Sequence, residues 1–504
     1  MDLVWGWEVL IQMATAGCNG RDPERRGSKD RSMLPLSTSL TCPVSSPLPC
    51  SEGMGLLCLP WEILARIVSH VPAQCVIQVL PKVCRLFRSL STDNTAWQIR
   101  ARRLVGPNAS FPLGPSDEFD WPTACLEMEQ LNSCWSKRGE ETGERHDQAQ
   151  DRDGLRGAEG LTEERKVREG GPGLEEGMED VEARLDDEDE KIERLLEELD
   201  KNSSQSFSCP SGLEHFSLPS EHIAELDCVL LVGGEGAVCV SGSRDGNVNL
   251  WDVEKKVLQC TLGEPGLYST HRGWVWCLAA HGPLLCSGSF DSTVRLWDLA
   301  AGGEQRGVIQ GRAAVLCLSC QDPLLLAGSY DKKVSIYDTR AADPLVQSLC
   351  LHRNAVLCLA ADEKYILSGS KDNTLAVFDR RAGKLLQKLR TNSFLASISY
   401  SGREVWAGDN QGRLHTFLLQ DGFFRHGSHF DEVHCALVTG IHRSPGTLYT
   451  CSSDRTIKVH LPCGPPKTLF TLQHQSGVHG LSVEAGVLAV GSGNICVDVW
   501  RMRQ

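Results

Sequence analysis

From Ser241 onward, short apolar runs of period two alternate with turn residues, and one phrase recurs seven times. It reads small residue, Gly, small or polar residue, one variable position, polar turn residue, then an alternating apolar run that ends in an aromatic or its replacement. The fullest copies are Ser241 to Asp245 leading to Val248, Leu250, Trp251 and Asp252, and Ser287 to Asp291 leading to Val294, Leu296, Trp297 and Asp298. Weaker copies carry Asp331 before Tyr337, Asp372 before Phe378, Gln411 before Phe417, Asp454 before His460 and Asn494 before Trp500. The turn residues lie 46, 40, 41, 39, 43 and 40 residues apart, the period of one four-stranded propeller blade. Gly and the polar turn residue let one strand reverse into the next, and the period-two run behind them makes a strand buried between neighbouring blades. One blade cannot bury both its faces, so the pattern predicts a closed ring of seven over residues 213–504. The chain stops four residues after Trp500, short of a fourth strand for blade 7. Leu213 to Leu218, just ahead of the first repeat, is expected to supply that strand and close the ring.

A different periodicity begins at Leu56. Leu59-Pro60-Trp61-Glu62-Ile63-Leu64 opens a helix, with Pro in the first turn, Glu62 near the positive end, and Ile63, Leu64, Ile67, Val68 and Val71 at helical spacing. Pro72 stops it. A second short helix holds Val76, Val79 and Leu80, and after Pro81 comes Val83-Cys84-Arg85-Leu86-Phe87-Arg88-Ser89-Leu90, then Asp93 and Trp97. Three short helices in so few residues bury little core by themselves, so a partner is implied.

The repeats resemble the WD-repeat family, whose namesake pairs are Trp251-Asp252 and Trp297-Asp298. In that family a His some twenty residues ahead of the turn Asp hydrogen-bonds into the blade. The resemblance gives that role to His271, His352 and His474; the third repeat has Gly311 there instead. Residues 55–100 resemble the F-box through Leu59, Pro60, Glu62, Ile63, Leu64, Val83, Cys84, Arg85, Leu90, Ser91, Asp93 and Trp97, with Phe87 where the family has Trp. The resemblance implies docking on the Skp-type adaptor of a cullin-RING ligase core, with Leu59, Pro60, Ile63, Leu64, Val83 and Trp97 as adaptor contacts. Together the two motifs resemble the F-box/WD-repeat proteins, the substrate receptors of such ubiquitin ligases. The expected fold is mixed and mainly β: a C-terminal seven-bladed WD-repeat β-propeller with a small N-terminal all-α F-box domain. The competing reading is a WD-repeat scaffold with a vestigial F-box.

Composition narrows the function further. Twenty-two Cys would suggest disulfides in a small secreted protein, but Cys277, Cys317, Cys358 and Cys435 recur by repeat position, two residues after an equivalent Val. They are expected as small buried strand residues. Cys317 and Cys320 form an isolated C-x-x-C with no second pair at zinc spacing, so no metal or other cofactor is expected. No nucleophile elbow, Walker loop, metalloprotease helix or dinucleotide turn is present, and the chain is expected to be a non-catalytic ligase subunit. Residues 1–16 are apolar but interrupted by Asp2 and Glu8 and lack a preceding Lys or Arg, unlike a signal peptide, and no run approaches a membrane span. The expected compartment is cytoplasmic, nuclear or both.

Outside the two modules, residues 1–54 read as a disordered tail, 101–136 as a helical linker packed on the F-box, and 137–180 as a disordered charged linker. Residues 181–212 read as an acidic amphipathic helix and connector. Within 181–200 ten acidic against three basic residues give a net charge of −7, half of the chain's −14, which disfavours nucleic acid as a partner. Leu185, Ile192, Leu195, Leu196 and Leu199 form one apolar stripe there, suited either to packing on the linker or propeller or to dimerisation.

The substrate face is sought in the loops. Arg272, Arg312 and Arg353 stand three residues before the equivalent Val of successive repeats, in the connection that enters a blade's innermost strand. Arg244 and Lys371 occupy the variable position before the turn Asp, as do Phe290 and Tyr330. Basic and aromatic residues gathered on one rim of an acidic chain suit protein substrates of acidic or phosphorylated character.

Overall fold

The computed structural model describes residues 59–114, 119–135, 213–218, 221–263 and 270–502. The expectations for 1–54, 137–180 and 181–212 lie outside the described residues.

Seven four-stranded antiparallel sheets follow one another along the chain. Blade 1 is Leu226–Val232, Val238–Ser243, Val248–Asp252 and Val257–Thr261. Blades 2 to 6 occupy 275–310, 315–349, 356–390, 395–430 and 438–473 in the same strand order. The first strands of successive blades pack side by side around the ring. Blade 7 takes Val478–Glu484, Val487–Ser492 and Val497–Met502 from the end of the chain and its outer strand from Leu213–Leu218, with Leu213 opposite Met502 and Leu218 opposite Val497. Blades 7 and 1 are bonded directly as well: Leu231 N–H donates to Ser482 Oγ at 2.9 Å, and Glu484 accepts from the N–H groups of Gly234 and Gly236. The ring therefore closes where the apolar pattern placed the closing strand, leaving no open sheet edge at its seam.

The recurring Gly and Cys explain one another. A Cβ on Gly242 would stand 2.7 Å from Cys228 Sγ, and one on Gly288 the same distance from Cys277 Sγ, so the second strand presses its backbone onto the thiol of the first. Burial pushes these thiols up, Cys358 to about 12, which keeps them protonated packing groups. Cys435 is a correction. It is exposed, and its N–H donates to Asp454 Oδ2 at 2.9 Å, which is the bond that the N–H of Arg272 makes to Asp291. The equivalent Val of blade 6 is Val438, five residues beyond the Val433 assumed, and Gly440 holds the place of Cys277.

The N-terminal module has five helices where three were expected: α1 Trp61–Ser69, α2 Ala73–Gln78, α3 Leu80–Val83, α4 Arg85–Thr92 and α5 Asn94–Val105. Pro72, Pro81 and the extended backbone of Cys84 (φ −157°, ψ 169°) divide the run. On α1, Leu64 and Val68 face inward while Ile63 stays 42% exposed. Asp93 caps α5 by accepting from Thr95 N–H at 3.0 Å and ties it to α1 by accepting from Trp61 Nε1 at 3.0 Å. Trp97 and Phe87 fill the centre, with Trp97 Nε1 donating to the Ser91 carbonyl at 2.9 Å.

Helix α6, Trp121–Trp135, bridges the two modules instead of packing on the first alone. On one side Glu129 accepts from the buried Arg100 guanidinium and from Ala73 N–H; Arg100 also donates to the Val68 carbonyl at 2.6 Å. On the other side Glu127 accepts from Ser444 Oγ at 2.6 Å and Gly446 N–H at 2.7 Å, and the Trp135 ring lies 6.3 Å from Tyr449 and 5.9 Å from Phe470. Ser110 and Gly464 add a backbone bridge to blade 6. The described residues between α5 and α6 are not helical; Phe111 and Phe119 make an edge-to-face cluster with Trp121, with centroids 4.9 to 6.0 Å apart.

Candidate functional site: two protein-binding ends

The blade connections at the end opposite the helices carry the expected substrate residues. In each blade the variable residue of the second turn donates its N–H to the carbonyl just before the first strand: Arg244 to Glu225, Phe290 to Trp274, Tyr330 to Ala314 and Lys371 to Ala355, at 2.9 to 3.0 Å. That bond holds the turn against the entry connection, so the seven expected residues share one end of the ring. Arg272, Arg312, Arg353 and Lys371 are exposed, and none makes an ion pair among the described residues. Phe290 and Tyr330 are 49% and 63% exposed.

Arg244 differs from the other three arginines. It is bound within the protein, with Nη1 2.5 Å from Glu225 and Nε 3.1 Å from Asp227, and its guanidinium stands 5.0 Å over the Trp274 ring. Its charge is already met. What it does is wall an aromatic platform that the turn positions alone did not reveal: Trp274, 44% exposed, lies 6.4 Å from Trp276 and 5.9 Å from Phe290. The signal was present in the sequence one residue before Val275, beside the position that was read.

Round the ring the entry positions equivalent to Arg272 are Ile223, Arg312, Arg353, Asn392, Cys435 and Gln475, and the turn positions opposite blades 5 to 7 are Asn410, Ser453 and Gly493. At these two positions cationic and aromatic side chains are confined to blades 1 to 4. Blade 6, which holds the helices, stands three blades from both blade 2 and blade 3.

Beneath this surface sit His–Asp pairs. His271, His352 and His434 each place Nδ1 at 3.0 to 3.3 Å from the turn carboxylate of their blade, with Nε2 2.8 Å from a hydroxyl of the second strand. His222 does the same in blade 1 with Asp245 and Ser241. His222 and His434 were not foreseen, although His434 stands twenty residues before Asp454. His474 is placed differently from expectation: its Nε2 meets Asp498 at 2.7 Å, because Asn494 occupies the turn. In blade 5 the carboxylate has moved two positions, to Asp409, which accepts from Ser393, the Gln411 and Arg413 N–H groups and pairs with His415. Burial holds the His271 and His352 imidazoles below their ordinary range, against the pull of Asp291 and Asp372. Burial alone would raise the Asp372 carboxyl, but the Arg353 N–H, Thr374 and His352 outweigh it and hold it at about 2. These groups are employed in tying turns to connections.

At the helical end the six expected adaptor contacts divide. Pro60 and Ile63 are exposed and Leu59 and Val83 half-buried, whereas Leu64 and Trp97 are 1% and 2% exposed. Leu64 and Trp97 are corrected to core residues: helix α1 presents one face, and position 64 lies on the other. Two apolar residues not chosen from the sequence, Ile77 and Val79, are 38% and 44% exposed. They join Ile63 as uncovered large apolar side chains of this small domain.

Comparison with known proteins agrees with both ends. Residues 56–99 match the family model of the F-box domain, and residues 223–252, 264–298, 303–338 and 344–379 match that of the WD domain, G-beta repeat. The chain is 41% identical over 471 residues to F-box/WD repeat-containing protein 9 of Bos taurus, covering 92% of this chain and 86% of that protein. It is 39% identical over 475 residues to the Homo sapiens protein of that name, covering 93% and 86%. The matched repeats end within blade 4, while the blades continue to Met502.

Proposed function

The chain belongs to the family of F-box/WD-repeat proteins, and on that premise we propose that it is the substrate-recognition subunit of a Skp–cullin–F-box ubiquitin ligase. The observation that carries the reading is the pairing of two unlike, uncovered surfaces in one compact unit: apolar Ile63, Ile77 and Val79 at the helical end, and free cations with aromatics at the far end of blades 2 to 4. The apolar surface docks the adaptor and cullin core. The far face holds a target protein, raising its effective concentration beside the ubiquitin-charged enzyme, while the chain contributes no reacting group of its own.

Helix α6 makes the pairing useful, because Glu129 grips the F-box and Glu127 grips blade 6, so a captured target is held at a set position from the adaptor. On the capture face Arg272, Arg312 and Arg353 pair with acidic or phosphorylated residues of the target, and Phe290, Tyr330 and Trp274 receive its apolar side chains. Such a receptor works in the cytoplasm, the nucleus or both. The test is loss of the chain from cells, with rescue by wild type or by Ile63→Asp/Val79→Asp. Proteins whose ubiquitination falls on loss should recover with wild type and not with the docking variant; equal recovery with both would favour a scaffold.

A further inference from the structure

Blade 3 keeps the turn Asp but departs from blade 2 at the other three positions of the network that ties a turn to the connection ahead of it. In blade 2, His271 stands between Asp291 and Ser287, Trp297 Nε1 donates to Ser287 Oγ at 2.9 Å, and the Arg272 N–H donates to Asp291 at 2.9 Å. Blade 3 has Gly311, Asp331, Ala327 and Tyr337 at the places of His271, Asp291, Ser287 and Trp297. Asp331 turns back on its own turn, where Oδ1 accepts from Ser329 Oγ and from the Lys333 N–H at 3.2 Å. Its other oxygen has no hydrogen-bond partner among the described residues, and the Arg312 N–H does not reach it.

These substitutions leave a groove. Gly311, Ala327, Asp331 and Tyr337 all line one cavity of about 380 Å³ between blades 2 and 3, with Arg312 and Lys333 also in its wall. Its size is that of a binding pocket, and its wall mixes apolar Ile309, Val315 and Ala327 with polar and charged side chains. Position 311 cannot refill it without movement, since a Cβ there would stand 2.9 Å from the Ser292 carbonyl oxygen.

We propose that this groove receives the imidazole of a histidine carried by a partner protein, which completes blade 3 as the chain's own histidines complete blades 1, 2 and 4. The ring N–H meets the free Asp331 oxygen, and the ring face lies against Ala327 and Tyr337. Arg312 and Lys333 in the wall are balanced by Asp331 and Asp343, so the groove has no net charge for a cation to answer and a neutral ring fits it better than a guanidinium or ammonium. The buried rings of His271 and His352 are held neutral in the same setting. The inference does not depend on the ligase reading.

Imidazole itself is the probe, titrated into the purified full chain at about pH 8, above the ordinary imidazole range, and followed by ligand-observed NMR. Saturable binding to wild type is expected, about tenfold weaker in Asp331→Asn, which loses a charged acceptor, and absent in Ala327→Leu, which fills the base. Should Ala327→Leu fail to fold, the Asp331→Asn comparison decides alone. No saturable binding to wild type, or equal binding to Asp331→Asn, would overturn the proposal.

Discussion

The two ends of the molecule solve the problem of meeting another protein in opposite ways. The helical end leaves Ile63, Ile77 and Val79 in water, and burying each such side chain is worth on the order of 1.5–3 kcal/mol. The far face leaves Arg272, Arg312, Arg353 and Lys371 without ion pairs among the described residues, and such groups bind through charge and geometry, with contributions that salt screens. Apolar docking suits a constant partner. A charged, aromatic face suits targets that differ and must be released. The scaffold beneath each end follows suit: a small core closed by one buried cation in the first case, a ring of His–Asp ties in the second.

Breaking the first scaffold should have the largest effect. Arg100→Ala takes the guanidinium from Glu129, which keeps only the Ala73 N–H and the more distant Arg103, and removes one of the two donors to the Val68 carbonyl, a loss on the order of 3 kcal/mol for one member of a largely buried ion pair. Calorimetry should show the F-box transition lowered or gone with the propeller transition kept; two unchanged transitions would mean the pair holds nothing.

The second scaffold should give way blade by blade. His271→Ala removes the imidazole that joins Asp291 to Ser287, leaving Asp291 with the Arg272 N–H and Thr293 and Ser287 with Trp297 Nε1, at a cost of about 1–3 kcal/mol. Asp331→Ala in blade 3 should stay within roughly 1 kcal/mol, since the ties to its entry connection are already missing. Equal losses in denaturant melts of the two variants would show that the network is not what secures a blade.

Acid should sharpen the same contrast. His271 and His352 are held below the ordinary imidazole range when folded, so their stabilisation is present at neutral pH and is lost as pH falls below about 6.5, where the unfolded chain takes up protons first. Asp372 and Asp409, held at about 2, add a second loss as pH falls below the ordinary carboxylate range. The propeller melting temperature should therefore drop in two stages on acidification, and His271→Gln should flatten part of the first.

The smallest effect on stability belongs to Arg272→Glu, Arg312→Glu and Arg353→Glu together, within about 0.5 kcal/mol for exposed side chains. Target capture should nevertheless disappear. A triple variant that retrieves the same targets would move the capture site elsewhere.

The ring was readable because its signal is carried by residues with no alternative use: Gly pressed on a thiol, a turn Asp, and a period-two run. Even the closing strand followed from the count of strands. What misled was register within loops, where no packing constrains spacing. Cys435 was therefore read five residues out of place, and His434 went unnoticed although it obeys the rule that found His271. At the helical end a motif names residues without saying which face they take. Leu64 and Trp97 belong to the motif because they build the core, and Ile77 and Val79 are exposed without belonging to it. Blade 3's groove was half visible as Gly311; Ala327 and Tyr337 gained meaning only when the fold brought them beside it.

The most direct measurement is the affinity of the purified full chain for the Skp-type adaptor, compared between wild type, Ile63→Asp/Val79→Asp and the triple arginine variant. Wild type and the arginine variant should bind alike, and the docking variant should bind about a hundredfold or more weakly, the worth of two apolar side chains withdrawn from an interface. No binding by wild type, or equal binding by all three, would contradict the division of labour between the two ends.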